Sequence, residues 1–206
     1  MFSIISRFCH WIYWISFLAV LVGCYLFVDR WVAQIVYQHP SWHQFHFLYA
    51  ITLLGTWSVM VALVIVLYLF SRVLKLSTSI RETLAQIGLT LIATNSIATI
   101  LKTLCGRARP MLWFDQHMYG FYGPTWNADF WSFPSGHTVT IMSIMWSLCF
   151  IYSKYCVIWL GVGIIVVATR IVLLQHYLSD VLASAYLSLV VAVFIYRYRQ
   201  KWNSWV

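Results

Sequence analysis

Acidic residues are scarce in this chain: its 206 residues include five Asp and Glu against 13 Lys and Arg, for a formal net charge of +8. Charged residues of either sign make up 9%, and hydrophobic residues 62%. An average soluble domain is about 25% charged and roughly 45–50% apolar, so a soluble globular domain is excluded. Disorder needs low hydrophobicity and is excluded by the same figures. Five carboxylates spread along the chain do not supply a two-metal hydrolytic site. No basic run exceeds two residues, and nucleic acid is set aside as a partner. The five cysteines, Cys9, Cys24, Cys105, Cys149 and Cys156, lack Cys-x-x-Cys spacing and are expected to be single thiols in or beside the membrane. Repeats, low-complexity tracts and Pro/Gly/Ser-rich linkers are absent, so residues 1–206 read as one membrane-embedded domain.

What the chain has is long apolar runs. They cover Trp11–Val28, Leu48–Phe70, Leu84–Leu101, Thr138–Tyr152, Val157–Leu174 and Leu178–Tyr196. A spanning helix needs about 20 mostly apolar residues. The runs are continuous rather than alternating, which excludes a barrel and predicts an all-α integral membrane bundle of six transmembrane helices. Leu21-Val22-Gly23-Cys24 has the form of a lipoprotein cleavage site, but the apolar run continues past it, so an uncleaved first span is expected.

With six spans and the N-terminus inside, Arg7, Arg72, Lys75, Arg81, Lys154, Arg197, Arg199 and Lys201 face the cytoplasm, opposed by Glu82 alone. That bias satisfies the positive-inside rule and places both termini in the cytoplasm. The other basic residues are Arg30, Lys102, Arg107, Arg109 and Arg170. Four of these five cluster at outer span ends, where an arginine or lysine costs about 2.5–3.5 kcal/mol at membrane depth and therefore has a partner or a task.

Three clusters supply the task. Lys102 is followed after six residues by Arg109-Pro110 at the outer end of the third span. Pro134-Ser135-Gly136-His137 opens the fourth. Thr169-Arg170, five residues, His176, three residues and Asp180 join the fifth to the sixth. Parity brings all three to one side of the membrane, the outer ends of spans three to six. Lys102, Arg109 and Arg170 suit the oxygens of a phosphate. The Ser135-Gly136-His137 turn offers helix N-terminal N–H groups, and Gly136 lets the backbone come close to a ligand. His176 and Asp180 lie four apart, so on a helix the carboxylate could hold one imidazole tautomer and leave the other nitrogen free to attack. His137 is then available as general acid.

In these spacings the chain resembles the type-2 phosphatidic acid phosphatase superfamily of membrane lipid phosphatases. Every interval of that signature is matched, over residues 95–190, with Thr169 standing where the family usually has Ser. The resemblance implies that His176 attacks phosphorus to form a phosphohistidine, Asp180 orients it and His137 protonates the leaving group. Lys102, Arg109, Ser135, Gly136 and Arg170 would hold the phosphoryl oxygens, with no metal. It implies a lipid phosphate or pyrophosphate as substrate: undecaprenyl pyrophosphate, phosphatidylglycerol phosphate, phosphatidate or lipid A 1-phosphate. The Gly-Arg-Ala-Arg-Pro and Ser-Phe-Pro-Ser-Gly-His contexts are similar to those of lipid A 1-phosphatases. The short, loop-poor chain suggests a bacterial inner membrane, with the site facing the periplasm. Oligomeric state is not legible.

Alternatives separate by chemistry. A phosphotransferase would pass the same phosphoryl group to a lipid hydroxyl. A transporter or scramblase would show paired repeats and broken helices, which the sequence lacks. Vanadate-dependent haloperoxidases share the phosphate-binding constellation but are soluble. His39, His43 and His46 in the first outer loop read as interfacial rather than metal-binding. Asn95 reads as interhelical hydrogen-bond glue. Arg107 is a further candidate for phosphate contact. The aromatic loop with Trp113, Phe114, Phe121, Tyr122, Trp126, Phe130 and Trp131 is expected as a surface belt, a headgroup lip, or both.

Overall fold

Lipid offers no hydrogen bonds to a backbone, so each apolar run must satisfy its own N–H and C=O groups, and each of them is helical in this computed structural model. It describes residues 2–44 and 46–203, apart from the side chains of residues 2–12, 43–46 and 201–203. Helix α1 (Phe2–Gly23) passes through a five-residue π-turn, Cys24–Val28, straight into α2 (Asp29–Tyr37). Short α3 (His46–Thr52) and long α4 (Trp57–Val73) follow. Then come α5 (Thr78–Cys105), α6 (Pro110–Gln116), α7 (Gly136–Ile151), α8 (Cys156–Val172) and α9 (Leu178–Asn203). Among the described residues there is no β-strand; isolated bridges join Arg107 to Phe121 and to Trp131.

Among the described residues, four helical stretches are long and apolar enough to cross a membrane: Tyr13–Tyr37, Thr78–Cys105, Ser153–Val172 and Leu178–Gln200. Phe47–Gly55 and Trp57–Val73 make a fifth only if taken together, bent by 60°. The remaining apolar run is α7, whose 16 residues reach about 24 Å at 1.5 Å per residue, short of a hydrocarbon core about 30 Å thick. Helix α7 packs against α5, α8 and α9, and nine of its residues are buried, so protein rather than lipid surrounds it. The first span also runs longer than its apolar run, through the charged pair Asp29-Arg30 to Tyr37.

The bundle is apolar outside and mixes hydroxyl and amide side chains with apolar clusters inside. On α5, Thr83, Gln86, Thr90 and Thr94 are buried, while Leu89, Ile92 and Ile100 are exposed. Lipid tails are as apolar as leucine, so helices associate through small side chains and hydrogen bonds instead of hydrophobic burial. Thr140 Oγ1 donates to Asn95 Oδ1 at 3.1 Å, Ser147 Oγ to Thr90 Oγ1 at 3.3 Å, and Ser188 Oγ to the Val139 carbonyl at 3.1 Å. Asn95 therefore does act as interhelical glue, between α5 and α7. Near the N-terminal end of α5, Arg199 clamps α9 to α5 through Glu82 and Gln86. The expectation of single thiols is corrected at one pair: Cys149 and Cys156 form a disulfide across the α7–α8 turn, with Cα atoms 4.4 Å apart. The six residues between them include the 3₁₀ turn Ser153–Tyr155, which folds the chain back on itself and brings the thiols together. Cys24 and Cys105 are free.

Candidate active site

Helix α5 ends because Gly106 adopts the left-handed conformation, φ +55°, and its N–H caps the Lys102 carbonyl at 3.2 Å. A Cβ there would lie 1.9 Å from the Gly123 carbonyl oxygen, so the position excludes any side chain. The chain then enters a loop pinned by backbone hydrogen bonds: Ala108 N to Gly120 O at 3.0 Å, Arg109 N to Asp129 O at 2.9 Å and Ser132 N to Arg107 O at 3.0 Å. This frame holds the residues on either side of it, Lys102 at the end of α5 and Gly136 at the start of α7.

The C-terminal ends of α5 and α8 and the N-terminal end of α7 meet at a cavity of about 420 Å³. Lys102, Arg109, Gly136, His137, Arg170 and His176 all line it. Three of these are cationic, and none of the described lining residues is a carboxylate. Lys102 Nζ donates to the Trp131 carbonyl at 3.1 Å. Arg109 Nη1 donates to Gln175 Oε1 at 2.6 Å, and Arg170 Nη1 to Thr52 Oγ1 at 2.8 Å. The Nε atoms of Arg109 and Arg170 are buried with no hydrogen-bond partner among the described residues. Such donors are what a tetrahedral oxyanion in the cavity would engage.

Ser135 is the N-cap of α7. Its Oγ accepts from Thr138 N at 3.4 Å and Thr138 Oγ1 at 3.0 Å, and its own N–H donates to Ser184 Oγ at 2.8 Å. It is fully buried and is not one of the lining residues. Its effect on an anion passes through the helix start it holds, where the N–H groups of Gly136 and His137 precede the first intrahelical donor. A Cβ on Gly136 would stand 3.9 Å from Lys102 Nζ, so its absence keeps the space beside the ammonium clear.

His176 is 3% exposed, and its Nδ1 lies 2.6 Å from the Ser132 carbonyl oxygen. A carbonyl only accepts, so Nδ1 carries the proton and Nε2 keeps its lone pair. Burial, then Lys102, Arg170 and Arg109, push the pKa of this imidazole well below 6.5. The ring is therefore neutral near pH 7. Asp180 sits behind it, outside the cavity lining. No hydrogen bond joins Asp180 to His176; the carboxylate accepts from Ser132 Oγ at 2.6 Å, from Tyr177 N at 2.8 Å and from Arg107 Nη1.

Several residues here carry no motif. Arg107 does not line the cavity. It is 1% exposed and paired with both Asp180 and Asp29. Thr52 holds Arg170. Gly55, at the break between α3 and α4, lies against His137: a Cβ on it would be 2.8 Å from His137 Cβ and 3.1 Å from the His137 carbonyl oxygen. These neighbours are rigid, so Gly55→Ala is expected to displace His137 and lower kcat about tenfold or more, since misplacement near 1 Å costs up to about 10²-fold. Steady-state kinetics that return wild-type kcat would remove Gly55 from the site. The only sequence signal at this break is a lone glycine inside an apolar run.

None of the aromatic loop residues lines the cavity. Trp126 is 82% exposed, with Tyr122 and Phe121 about half exposed, which is the disposition of a surface belt. His39 is occupied by the Ile35 carbonyl at 2.8 Å and stacks on Trp42; the side chains of His43 and His46 lie outside the described residues. Arg30, which had no expected part, lies over the Tyr119 ring at 5.2 Å.

The PAP2 superfamily model matches residues 83–204, more than half of the chain and all three motif clusters. The chain belongs to the PAP2 superfamily. Among curated proteins, the lipid A 1-phosphatase of Rhizobium johnstonii is 33% identical over 119 residues, 53% of this chain and 46% of that protein. The lipid A 1-phosphatase of Rhizobium etli is 34% identical over 105 residues, 48% of this chain and 43% of that protein. The matched stretch thus spans less than half the length of either relative. Among solved structures, the transmembrane PAP2 type phosphatidylglycerolphosphate phosphatase of Bacillus subtilis superposes with a TM-score of 0.58 at 17% identity, covering 91% of this chain and 94% of that one. That likeness reaches beyond the family match over most of the chain.

Proposed function

We propose that this PAP2 protein is a metal-independent lipid phosphatase that hydrolyses a lipid phosphate or pyrophosphate through a phosphohistidine on His176. The observation that carries the reading is the neutral, buried His176, tied at Nδ1 and set in one cavity with Lys102, Arg109, Arg170 and His137. His176 Nε2 attacks phosphorus, and the bond from phosphorus to the lipid oxygen breaks. His137 gives its proton to that departing oxygen. Water, losing a proton to His137, then attacks phosphorus; the P–N bond breaks and phosphate leaves. The three cations balance the charge on the transferring phosphoryl group, a task otherwise given to metal ions.

The cavity wall continues onto Ile92 and Trp57, both more than half exposed on the outer surface of α5 and α4. A substrate whose tail stays in the bilayer fits such an opening. The two lipid A 1-phosphatase relatives favour lipid A 1-phosphate within the lipid phosphates. We place α7 as the fourth of six spans, the site at the outer face of a bacterial inner membrane and both termini in the cytoplasm, on the distribution of basic residues.

Purified protein in detergent is expected to release inorganic phosphate from lipid A, with undecaprenyl pyrophosphate, phosphatidylglycerol phosphate and phosphatidate as comparisons. EDTA should leave the rate unchanged. Strict metal dependence, or no release from any of the four, would sink the proposal. Labelled phosphate appearing on a second lipid instead of in solution would convert it to a phosphotransferase.

A further inference from the structure

We infer that Asp29, Arg107 and Ser132 are positioning residues for His176, linked to it as one buried relay that begins on the first membrane helix. The inference rests on the reading of His176 as nucleophile.

The relay can be followed atom by atom. His176 Nδ1 donates to the Ser132 carbonyl at 2.6 Å. The Ser132 residue is itself fixed on both sides: its N–H donates to the Arg107 carbonyl at 3.0 Å, and its Oγ donates to Asp180 Oδ2 at 2.6 Å. Asp180 Oδ1 accepts from Arg107 Nη1, and Arg107 Nη2 donates to Asp29 Oδ2 at 2.7 Å. Ser179 closes the far end, giving its N–H to Asp29 Oδ1 at 2.8 Å and its hydroxyl to Asp29 Oδ2 at 2.5 Å. Asp29 thereby caps the start of α9, which follows directly after His176. Every member is at most 5% exposed. Asp180 thus acts on the imidazole through the Ser132 carbonyl that it holds, not by touching it.

Charge explains why two carboxylates are present. The Arg107 guanidinium lies between Asp29 and Asp180, so the group carries one net negative charge behind a cavity that carries three positive side chains. With Asp29 neutral, Arg107 would pair with Asp180 alone and draw it away from Ser132 Oγ. The carbonyl would lose one of its two anchors, keeping only the backbone tie of Ser132 N–H to Arg107, and the ring could turn or take the other tautomer. The π-turn Cys24–Val28 just before Asp29 changes the helical register and aims this carboxylate into the bundle.

Two variants test the relay, Asp29→Asn and Ser132→Ala. The second removes only the Oγ link and adds no volume. Each is expected to lower kcat on a lipid phosphate about ten- to a hundredfold with KM within about twofold, as for a nucleophile out of line. In parallel, ¹⁵N-histidine NMR of the full-length protein in detergent reads the tautomer directly. Wild-type His176, assigned by its loss in His176→Ala, should show protonated Nδ1, and both variants should show a mixture. Lower thermal stability with kcat and tautomer unchanged would overturn the inference, because a purely structural network behaves that way. A wild type that releases no phosphate but whose tautomer shifts in both variants would refute the hydrolase reading and leave the positioning relay standing.

Discussion

His176→Ala is expected to reduce phosphate release about 10⁴-fold or more, the scale seen when a nucleophile that works as part of a unit is removed. Binding should survive. Lys102, Arg109 and Arg170 are each held by their own partners, the Trp131 carbonyl, Gln175 and Thr52, and none of these anchors involves His176. KM, or the inhibition constant of inorganic phosphate, should therefore change far less than kcat. The pH profile gives an independent check. Burial and the cations Lys102, Arg170 and Arg109 lower the His176 pKa well below 6.5. His137 and the Asp180–Arg107–Asp29 group complete the titratable surroundings. Protonation removes the Nε2 lone pair, so the limb of kcat/KM due to His176 should appear only as pH drops through that lowered value, while loss of the His137 proton sets a separate alkaline limb. An acid limb from His176 centred at 6.5 would mean that the imidazole is not buried among cations, and the proposed mechanism would fail with it.

The cavity-lining half of the site was legible because it is local. Lys102, Arg109, Gly136, His137, Arg170 and His176 sit at helix ends, and the alternation of span direction brings those ends together without any tertiary information. Ser135 and Asp180 were legible as residues but not as contacts. Their side chains turn inward, to Thr138 and to Ser132 and Arg107, which spacing along a helix does not reveal. Asp29 was hidden for a different reason. A charged pair after an apolar run reads as the end of a span, yet α2 continues the helix and buries Asp29 against residues 78 and 150 positions away. Thr52 and Gly55 sit in an apolar run with no proline to mark the 60° bend. The six-span expectation counted α7 through its apolar run, but its burial was not legible, because hydropathy does not separate a helix sheathed in protein from one in lipid.

Arg107→Met should be strongly destabilising, costing about 3–5 kcal/mol, the range for removing one partner of a buried ion pair. Methionine nearly matches the arginine in volume, so the loss is one of charge rather than of packing. Asp29 and Asp180 would then be buried without a counter-charge, each still accepting neutral donors: Ser179 at one end, Ser132 and Tyr177 N at the other. The guanidinium also lies within 6 Å of four ring centroids, Tyr25, Tyr119, Phe121 and Tyr177, the closest at 4.7 Å, and these contacts with a desolvated cation go with it. Arg107→Lys should recover only part of the loss. One ammonium lacks the planar fork that reaches two carboxylates at once. Thermal denaturation of the purified proteins in mild detergent checks the order wild type, Lys, Met. Asp29→Asn combined with Arg107→Met should be more stable than Arg107→Met alone, because one of the two stranded charges has been removed. If the double variant is no better, the two carboxylates do not share Arg107, and the link from the first helix to α9 must rest on packing.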